Sequence, residues 1–394
     1  MVTMSLHDEV AEWEHELVAT RRDLHMHPEV GFGVTRTAGI VAERLRAIGL
    51  DEVTEGVGKA GVKGVLRGAK PGKTLLIRAD MDALPITEET GLPFTSQNTG
   101  AMHACGHDGH TSILLTAARL LTRRRAEIAG TVVFCFQPAE EGGGGARAMM
   151  ADGIMENPHV DASIGLHLLQ ESPIGTVTVI TGPCMSGADG YRVTIQGKGG
   201  HGAMPETTVD ALLIAATIVT QLQELVSREI NPLMPVALTQ GVFQAGVASN
   251  VIADTAFFSG TTRYFDKEVG DHVAERLPEL VKHIAEGMRA TATVEYNRFG
   301  QPVVNDPHMA EIVRAAAREA AGVAQVVDGP RWMPSEDYSE FTRRVPSCYF
   351  FVGTRNEDAG IVWGHHHPKF DFDERALAIG VETFVGATMR YLSE

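Results

Sequence analysis

Apolar positions along the chain switch between helical spacing and short continuous runs. Helical spacing covers three stretches of the first third of the chain: 8–26, 35–49 and 108–125. Four apolar runs are typical of buried strands: 61–68, 74–83, 131–141 and 162–168. Strands that alternate with helices predict an α/β fold with a central, mainly parallel sheet.

The pattern changes near residue 186. A strand within 191–205 runs into a glycine-rich turn, and the elements that follow are helix 207–228, strands 235–243 and 250–265, helix 266–289 and strand 291–299. This order predicts a small α+β unit of β-α-β-β-α-β type. After it come a helix from about 307, the strand CYFFVGT and a final helix from about 373.

Residues able to bind metal occur on both sides of this unit. We therefore predict an inserted domain at 186–300 within a discontinuous catalytic domain formed by 1–185 and 301–394. Ligands of the sheet domain are expected beyond the carboxyl ends of its strands.

Composition narrows the possible functions. The 394 residues are 44% hydrophobic and 21% charged, as in ordinary globular proteins. The net charge of −16 disfavours nucleic acid, whose phosphates need a basic surface. There is no apolar run of membrane-spanning length and no signal-peptide core, so we expect a cytoplasmic protein that does not bind membranes. The four cysteines form no CxxC pair, which argues against a disulfide framework.

The segment HACGHDGH, residues 103–110, carries three histidines, a cysteine and an aspartate. Cys105 and His107 are two residues apart, so both can face one point in an extended loop. We interpret this pair as metal ligands. His103, Asp108 and His110 fit a supporting role better, because a ligating histidine needs an outer partner.

Further candidates lie on distant segments, as in catalytic metal sites. Glu140 and Glu141 end a strongly apolar strand, so one could bind metal while the other serves as a base. His167 lies at a predicted strand end, and one histidine of the triplet 365–367 could also ligate. Taken singly, most of these could be ordinary core or surface residues, but their clustering favours a metal site.

Ten segments together resemble the M20 metallopeptidase family, in its amidohydrolase branch of hippurate, N-acyl-amino-acid and auxin-conjugate hydrolases. They follow in order over nearly the whole chain: RRDLHMHPEVGF (21–32), RADMDALPI (78–86), HACGHDGHT (103–111), FQPAEEGGGGA (136–146), GLH (165–167), GKGGHGAMPE (197–206), SNVIAD (249–254), GTTR (260–263), PSEDYSEF (334–341) and HHPKFDFDE (366–374).

The resemblance implies two divalent metal ions per subunit, manganese first, with zinc, cobalt or nickel as alternatives. Its metal ligands would be Cys105, His107, Glu141, His167 and His366, the last because it stands two residues before Pro368. The inserted domain would be a lid that also dimerises, giving a homodimer or a tetramer.

The resemblance also implies catalytic and substrate-binding roles. Glu140 matches the general base, and His201 matches a lid histidine that reaches the partner's active site. Asn250 and Arg263 match residues that hold the substrate carboxylate. Asp82 matches a supporting active-site aspartate.

Two positions depart from the wider family. Asp80 stands where the first histidine of a His-x-Asp motif would be, as expected when the metal pair uses a cysteine. Glu206 replaces a histidine that often follows GAMP in this branch, which bears on substrate preference.

The predicted reaction is metal-assisted hydrolysis of the amide bond of N-acyl-amino acids. Alternatives on the same scaffold are a dipeptidase and an N-acetyl-diaminopimelate-type deacetylase. A cysteine hydrolase built on Cys105 would leave the glutamate pair unexplained. A non-catalytic metal-binding protein would have no need of the base Glu140.

Overall fold

A computed structural model describes residues 4–394, which form two compact units. The larger unit comprises the described residues up to Gly182, together with Val304–Pro330 and Glu340–Glu394. The smaller unit comprises Pro183–Val303 and Arg331–Ser339.

The helices and strands are numbered in chain order. The helices are α1 (Leu6–Met26), α2 (Thr35–Ala47), α3 (His107–Arg123), α4 (Gly145–Ala151), α5 (Ala211–Gln221), α6 (Lys267–Gly287), α7 (Pro307–Glu319), α8 (Ser339–Thr342) and α9 (Arg375–Tyr391). The strands are β1 (Glu52–Val57), β2 (Gly61–Arg67), β3 (Lys70–Asp80), β4 (Ala129–Gln137), β5 (Ala162–Pro173), β6 (Thr176–Thr178), β7 (Gly182–Met185), β8 (Gly187–Gln196), β9 (Gly200–His201), β10 (Val236–Ala245), β11 (Val251–Ile252), β12 (Thr255–Tyr264), β13 (Thr291–Gly300), β14 (Val303–Asn305), β15 (Gln325–Val327) and β16 (Ser347–Arg355).

The larger unit contains an eight-stranded sheet in the order β1-β2-β4-β3-β5-β16-β6-β15. Its central strands β4, β3, β5 and β16 are parallel, whereas β1, β2 and β6 join antiparallel neighbours. Helices α1, α3 and α9 pack on one another. The mainly parallel α/β architecture predicted from the sequence is confirmed.

The smaller unit has a four-stranded antiparallel sheet, in the order β10-β12-β8-β13. Helices α5 and α6 cover it with a separate core that includes Ile214, Val273 and Phe258. The predicted β-α-β-β-α-β order is confirmed, with the short pair β9 and β11 added between its elements.

Arg331–Ser339 differs from the predicted domain assignment. The sequence placed it with 301–394, but it belongs to the smaller unit. Backbone hydrogen bonds explain this: Trp332 N donates to Cys184 O over 2.8 Å, and Ser186 N donates to Trp332 O over 3.0 Å. Such pairing between distant chain segments leaves no local sequence signal. Within residues 4–394, no helix combines the length and apolar character needed to cross a membrane.

Candidate metal and catalytic site

The site is built where neighbouring parallel strands end. Asp80 is the last residue of β3 and pairs in register with Gln137, the last residue of β4. The chain then turns through Ala139, which has a positive φ of 54°. Parallel strands bring their carboxyl ends to one edge of the sheet, so the polar residues that follow β3 and β4 meet there.

Asp82 joins these two strand ends. Its carboxylate accepts the backbone N–H of Glu140 at 2.9 Å and of Glu141 at 3.2 Å. The side chain of Asp82 is 1% exposed, and its backbone carbonyl accepts from His107 Nδ1 at 2.8 Å. Asp82 therefore fixes both the glutamate pair and one histidine ring.

His167 lies within a strand, not at its end as the sequence predicted. Strand β5 continues to Pro173 because β16 pairs with it along that length. On its other side, pairing with β3 stops at Gly165. Just beyond, the N–H of Leu168 donates to His110 Nε2 over 2.9 Å instead of to another strand. The edge of β5 beyond Gly165, which no longer pairs with β3, thus becomes part of the site.

Cys105 and His107 sit at the start of α3. Gly106 precedes the helix with a φ of 87°, which favours glycine. Cys105 Sγ is 3.4 Å from His167 Nε2. The predicted convergence of these three side chains is therefore present: their ligand atoms lie within 4.8 Å of one another.

Hydrogen bonds determine which ring nitrogen of His107 and of His167 is available to bind a metal ion. His107 Nδ1 donates to the carbonyl of Asp82, and His167 Nδ1 donates to the carbonyl of Leu168 at 2.7 Å. A neutral imidazole that donates through Nδ1 carries its lone pair on Nε2. Both Nε2 atoms are thus prepared for metal binding, and the carbonyls act as the outer partners that ligating histidines require.

The histidine triplet divides into three environments. The side chain of His365 is 10% exposed, and its Nε2 accepts from Gln170 N at 3.1 Å. His367 stacks on Trp363, with ring centroids 4.3 Å apart. His366, at a φ of 63°, has its Nε2 3.3 Å from Glu141 Oε1, and its N–H donates to Ala104 O over 2.8 Å. It is the member of the triplet that joins Cys105 and Glu141 in a set of possible ligands.

The charges around these atoms suit a cation. Burial favours neutral His107, but Asp80, Asp82 and Glu141 raise its pKa to about 10. Burial raises the pKa of Cys105 well above its usual range, and the charges of Glu141 and Glu140 raise it further. Sulfur, imidazole and carboxylate donors together fit a divalent transition metal, so the residues fit the group that the sequence implies.

Supporting residues lie behind the donors. His110 Nδ1 donates to Asp80 Oδ1 over 2.6 Å, and Arg78 Nη1 donates to Asp80 Oδ2 over 2.7 Å. Asp108 accepts from Arg21 and His25. His103 is buried with no hydrogen-bond partner among the described residues, and burial lowers its pKa to about 3.

Sequence reasoning did not single out Arg21, His25 or Arg78. Each is fully buried in the structure. A weak signal existed for Arg78, because an arginine inside the apolar run TLLIRAD needs a buried anionic partner. Arg21 and His25 lie on a helix whose exposed residues are also charged, so their burial could not be read from the sequence pattern.

The smaller unit carries the remaining candidates. His201 in β9 pairs with Val251 in β11, and Gly202 N donates to Asn250 O over 2.8 Å, so His201 and Asn250 are neighbours. Arg263 lies on β12 and donates only to the carbonyl of Thr262 among the described residues, at 3.1 Å. Its guanidinium forms no ion pair within residues 4–394.

Comparison with known proteins identifies the class. Residues 76–390 match the peptidase family M20/M25/M40. The chain is 41% identical over 328 residues to the N-acyl-L-amino acid amidohydrolase of Geobacillus stearothermophilus, covering 82% of this chain and 88% of that one. It is also 37% identical over 379 residues to thermostable carboxypeptidase 1 of Saccharolobus solfataricus, covering 95% of each.

A solved structure agrees with these relatives. The Bacillus subtilis YXEP protein, described as a dinuclear metal binding peptidase from the M20 family, superposes with a TM-score of 0.86 at 33% identity. The alignment covers 97% of this chain and 99% of that one. The chain belongs to the M20 peptidase family, in its amidohydrolase branch. It is a metal-dependent hydrolase that acts on a small molecule.

Proposed function

We propose that the protein hydrolyses the amide bond of N-acyl-amino acids and releases a carboxylic acid and a free amino acid. The observation that carries this proposal is the convergence of Cys105, His107, His167, Glu141 and His366 beside a second glutamate, Glu140. The name of the Geobacillus relative supports the substrate class.

Cys105, His107, Glu141, His167 and His366 would hold two divalent ions, as the YXEP protein is described as dinuclear. When bound, such ions polarise an acyl oxygen and lower the pKa of water. Manganese is proposed on family resemblance, and zinc, cobalt and nickel suit the same mixed donors.

Glu140 would act as general base and then as general acid. It is held beside Glu141 by Asp82, so a carboxylate lies next to the ligand set without having to join it. Glu140 takes a proton from the water that attacks the acyl carbon. The same proton then passes to the departing amine. Asp82 would position this loop and leave the proton transfer to Glu140.

Residues of the smaller unit would bind the substrate. Ala203 N donates to His201 Nδ1 over 3.1 Å, so a neutral His201 ring carries its proton on Nε2. That N–H can donate to the developing oxyanion. Arg263, half-buried and without an ion pair among the described residues, would receive the carboxylate of the amino acid with help from Asn250.

The protein would be a homodimer through the smaller unit. Strand β10 is an edge strand of its sheet, and it exposes Val242 (42%) and Phe243 (43%). Helix α5 exposes Leu212 (45%) and Leu213 (56%). An unpaired edge and exposed large apolar side chains are typical of surfaces that bind another chain. His201 would then serve the partner's site, as the family resemblance implies.

A substrate panel tests the activity. N-acetyl-, N-benzoyl-, indole-acetyl- and aminobenzoyl-amino acids are compared with dipeptides and N-acetyl-diaminopimelate, with added Mn²⁺ or Zn²⁺ and with chelator. We expect chelator-sensitive release of amino acid from one acyl class. Preference for dipeptides would favour peptidase activity, which the name of the Saccharolobus relative also suggests. Metal binding without turnover of any compound would contradict the proposal.

A further inference from the structure

A single buried arginine connects the two chain segments that carry the proposed ligands. Arg21, on α1, is 0% exposed. Its Nε donates to Asp108 Oδ2 over 2.9 Å, its Nη2 to Asp371 Oδ1 over 2.7 Å and its Nη1 to Glu374 Oε1 over 3.1 Å. Every nitrogen of the guanidinium thus has a carboxylate partner.

These partners lie next to proposed ligands. Asp108 is in the first turn of α3, directly after His107 and three residues from Cys105. Asp371 and Glu374 follow His366 in the segment that leads to α9. A displacement of Arg21 would therefore alter the position of one segment relative to the other.

Aromatic rings fix the plane of the guanidinium. Its Cζ lies 4.1 Å from the ring centroid of Phe372 and 4.7 Å from that of Phe94. Arginine has a rigid planar set of donors, and lysine has a single ammonium that cannot reproduce it. The site therefore requires the shape of arginine as well as its charge.

His25, one turn later on α1, supports the same aspartate. Its Nδ1 donates to Asp108 Oδ2 over 2.9 Å, and its Nε2 is 3.3 Å from Glu88 Oε1. Asp108 thus receives two hydrogen bonds from one face of α1. Helix α1 carries none of the proposed ligands, yet it holds the segment that does.

We propose that Arg21 is a positioning residue for the metal centre, which sets the separation between the Cys105–His107 segment and the segment of His366. This inference rests on the proposed metal site. Outer partners of metal ligands typically change metal affinity by roughly 10–100-fold when they are replaced. Arg21 contacts no proposed ligand itself. It would act through its carboxylate partners, which lie in the same segments as the ligands.

The test measures metal affinity directly. Mn²⁺ or Zn²⁺ is titrated into chelated wild type and Arg21→Lys in competition with a chromophoric chelator, and the melting temperature of each metal-free protein is recorded. We expect a dissociation constant raised by roughly 10-fold or more. Because lysine leaves part of the buried carboxylate cluster unpaired, metal-free Arg21→Lys should melt below the wild type but stay folded at the assay temperature, and excess metal should restore much of kcat.

Two further variants serve as a control and as a second test of the network around Arg21. Arg22→Met is the matched control, because Arg22 is 47% exposed and bonds the same Glu374 at the surface. It should bind metal like the wild type. Asp371→Asn weakens only the ion pair between Arg21 and Asp371. Its metal affinity tests the positioning role if Arg21→Lys does not fold.

Wild-type metal affinity in folded Arg21→Lys, or in Asp371→Asn where the lysine variant does not fold, would overturn the positioning role. A wild type that binds no metal would instead refute the proposed function on which this inference rests.

Discussion

The adjacent glutamates Glu140 and Glu141, in the loop that follows β4, have different surroundings. Glu141 Oε1 lies 3.3 Å from His366 Nε2 and shares a ligand set with Cys105. Glu140 belongs to a set with His107 and Glu141 but to neither of the two sets that contain Cys105. One side chain can therefore bind metal while its neighbour moves protons.

Glu140→Gln should abolish turnover and leave the metal content near that of the wild type, because an amide cannot accept the proton of water. Glu141→Gln should lower the metal content. Kinetics and elemental analysis on the same samples measure both effects. Metal loss in Glu140→Gln with retention in Glu141→Gln would reverse the two roles.

At a pH high enough to ionise its buried thiol, Cys105 should react with alkylating reagents only after the metal is removed. Metal binding requires the thiolate, and the bound ion then shields the sulfur. Peptide-level mass spectrometry after brief iodoacetamide treatment measures the labelling. Cys135, Cys184 and Cys348 are buried elsewhere and serve as internal controls for unfolding. Equal labelling of Cys105 with and without chelator would remove it from the ligand set.

Arg263→Ala should raise KM for acyl-amino acids much more than for the matching amino-acid amides. The reason is the loss of a charge-assisted contact to the carboxylate, which costs on the order of a few kcal/mol when buried. Arg192→Ala is the control, since that exposed arginine of β8 packs over Phe257. Equal losses with both substrates would make Arg263 a structural residue.

At the scale of elements, the site depends on hydrogen bonds that connect the loop after β3 with the loop after β4. Asp82 follows β3, and its two carboxylate oxygens receive the backbone N–H groups of Glu140 and Glu141, which follow β4. An asparagine can accept only through its oxygen, so one of these N–H groups would face an amide donor. The loop that carries both glutamates would then shift.

Asp82→Asn should therefore weaken metal binding and lower kcat together, by roughly 10-fold or more in affinity if Asp82 behaves as other outer partners do. Competition titration and steady-state kinetics measure the two effects. Asp152→Asn is the control, because Asp152 accepts from the backbone N–H of Gly58 away from the ligand sets. Unchanged affinity in a folded Asp82→Asn would show that the loop is held by other contacts.

At the scale of the whole molecule, the question is whether two subunits share each site. An inactive His201→Ala variant is mixed with an inactive Glu140→Gln variant, and the subunits are allowed to exchange. If His201 serves the partner's site, half of the sites in a mixed dimer contain both groups, so activity should reappear. Verified mixed dimers that stay inactive would mean that each subunit uses its own His201.

Much of the architecture could be predicted from periodicity. Most helices and long strands begin and end within a few residues of their predicted positions, because burial of one face imposes a period on the sequence. The short strands β6 and β15 were not predicted, since three residues carry too little pattern. Strand β5 was predicted too short, because its extension depends on pairing with β16.

The sequence by itself determined the family, the two kinds of sheet and the chemical types of the candidate ligands, because these depend on residue identity and local periodicity. Only the tertiary structure decided how those residues are held. The tautomer of His107 depends on the carbonyl of Asp82, which belongs to another segment of the chain. His366 differs in its surroundings from His365 and His367 because its backbone has a positive φ of 63°. The burial of Arg21 among Asp108, Asp371 and Glu374 depends on contacts across more than 80 positions of the chain, which no local pattern records.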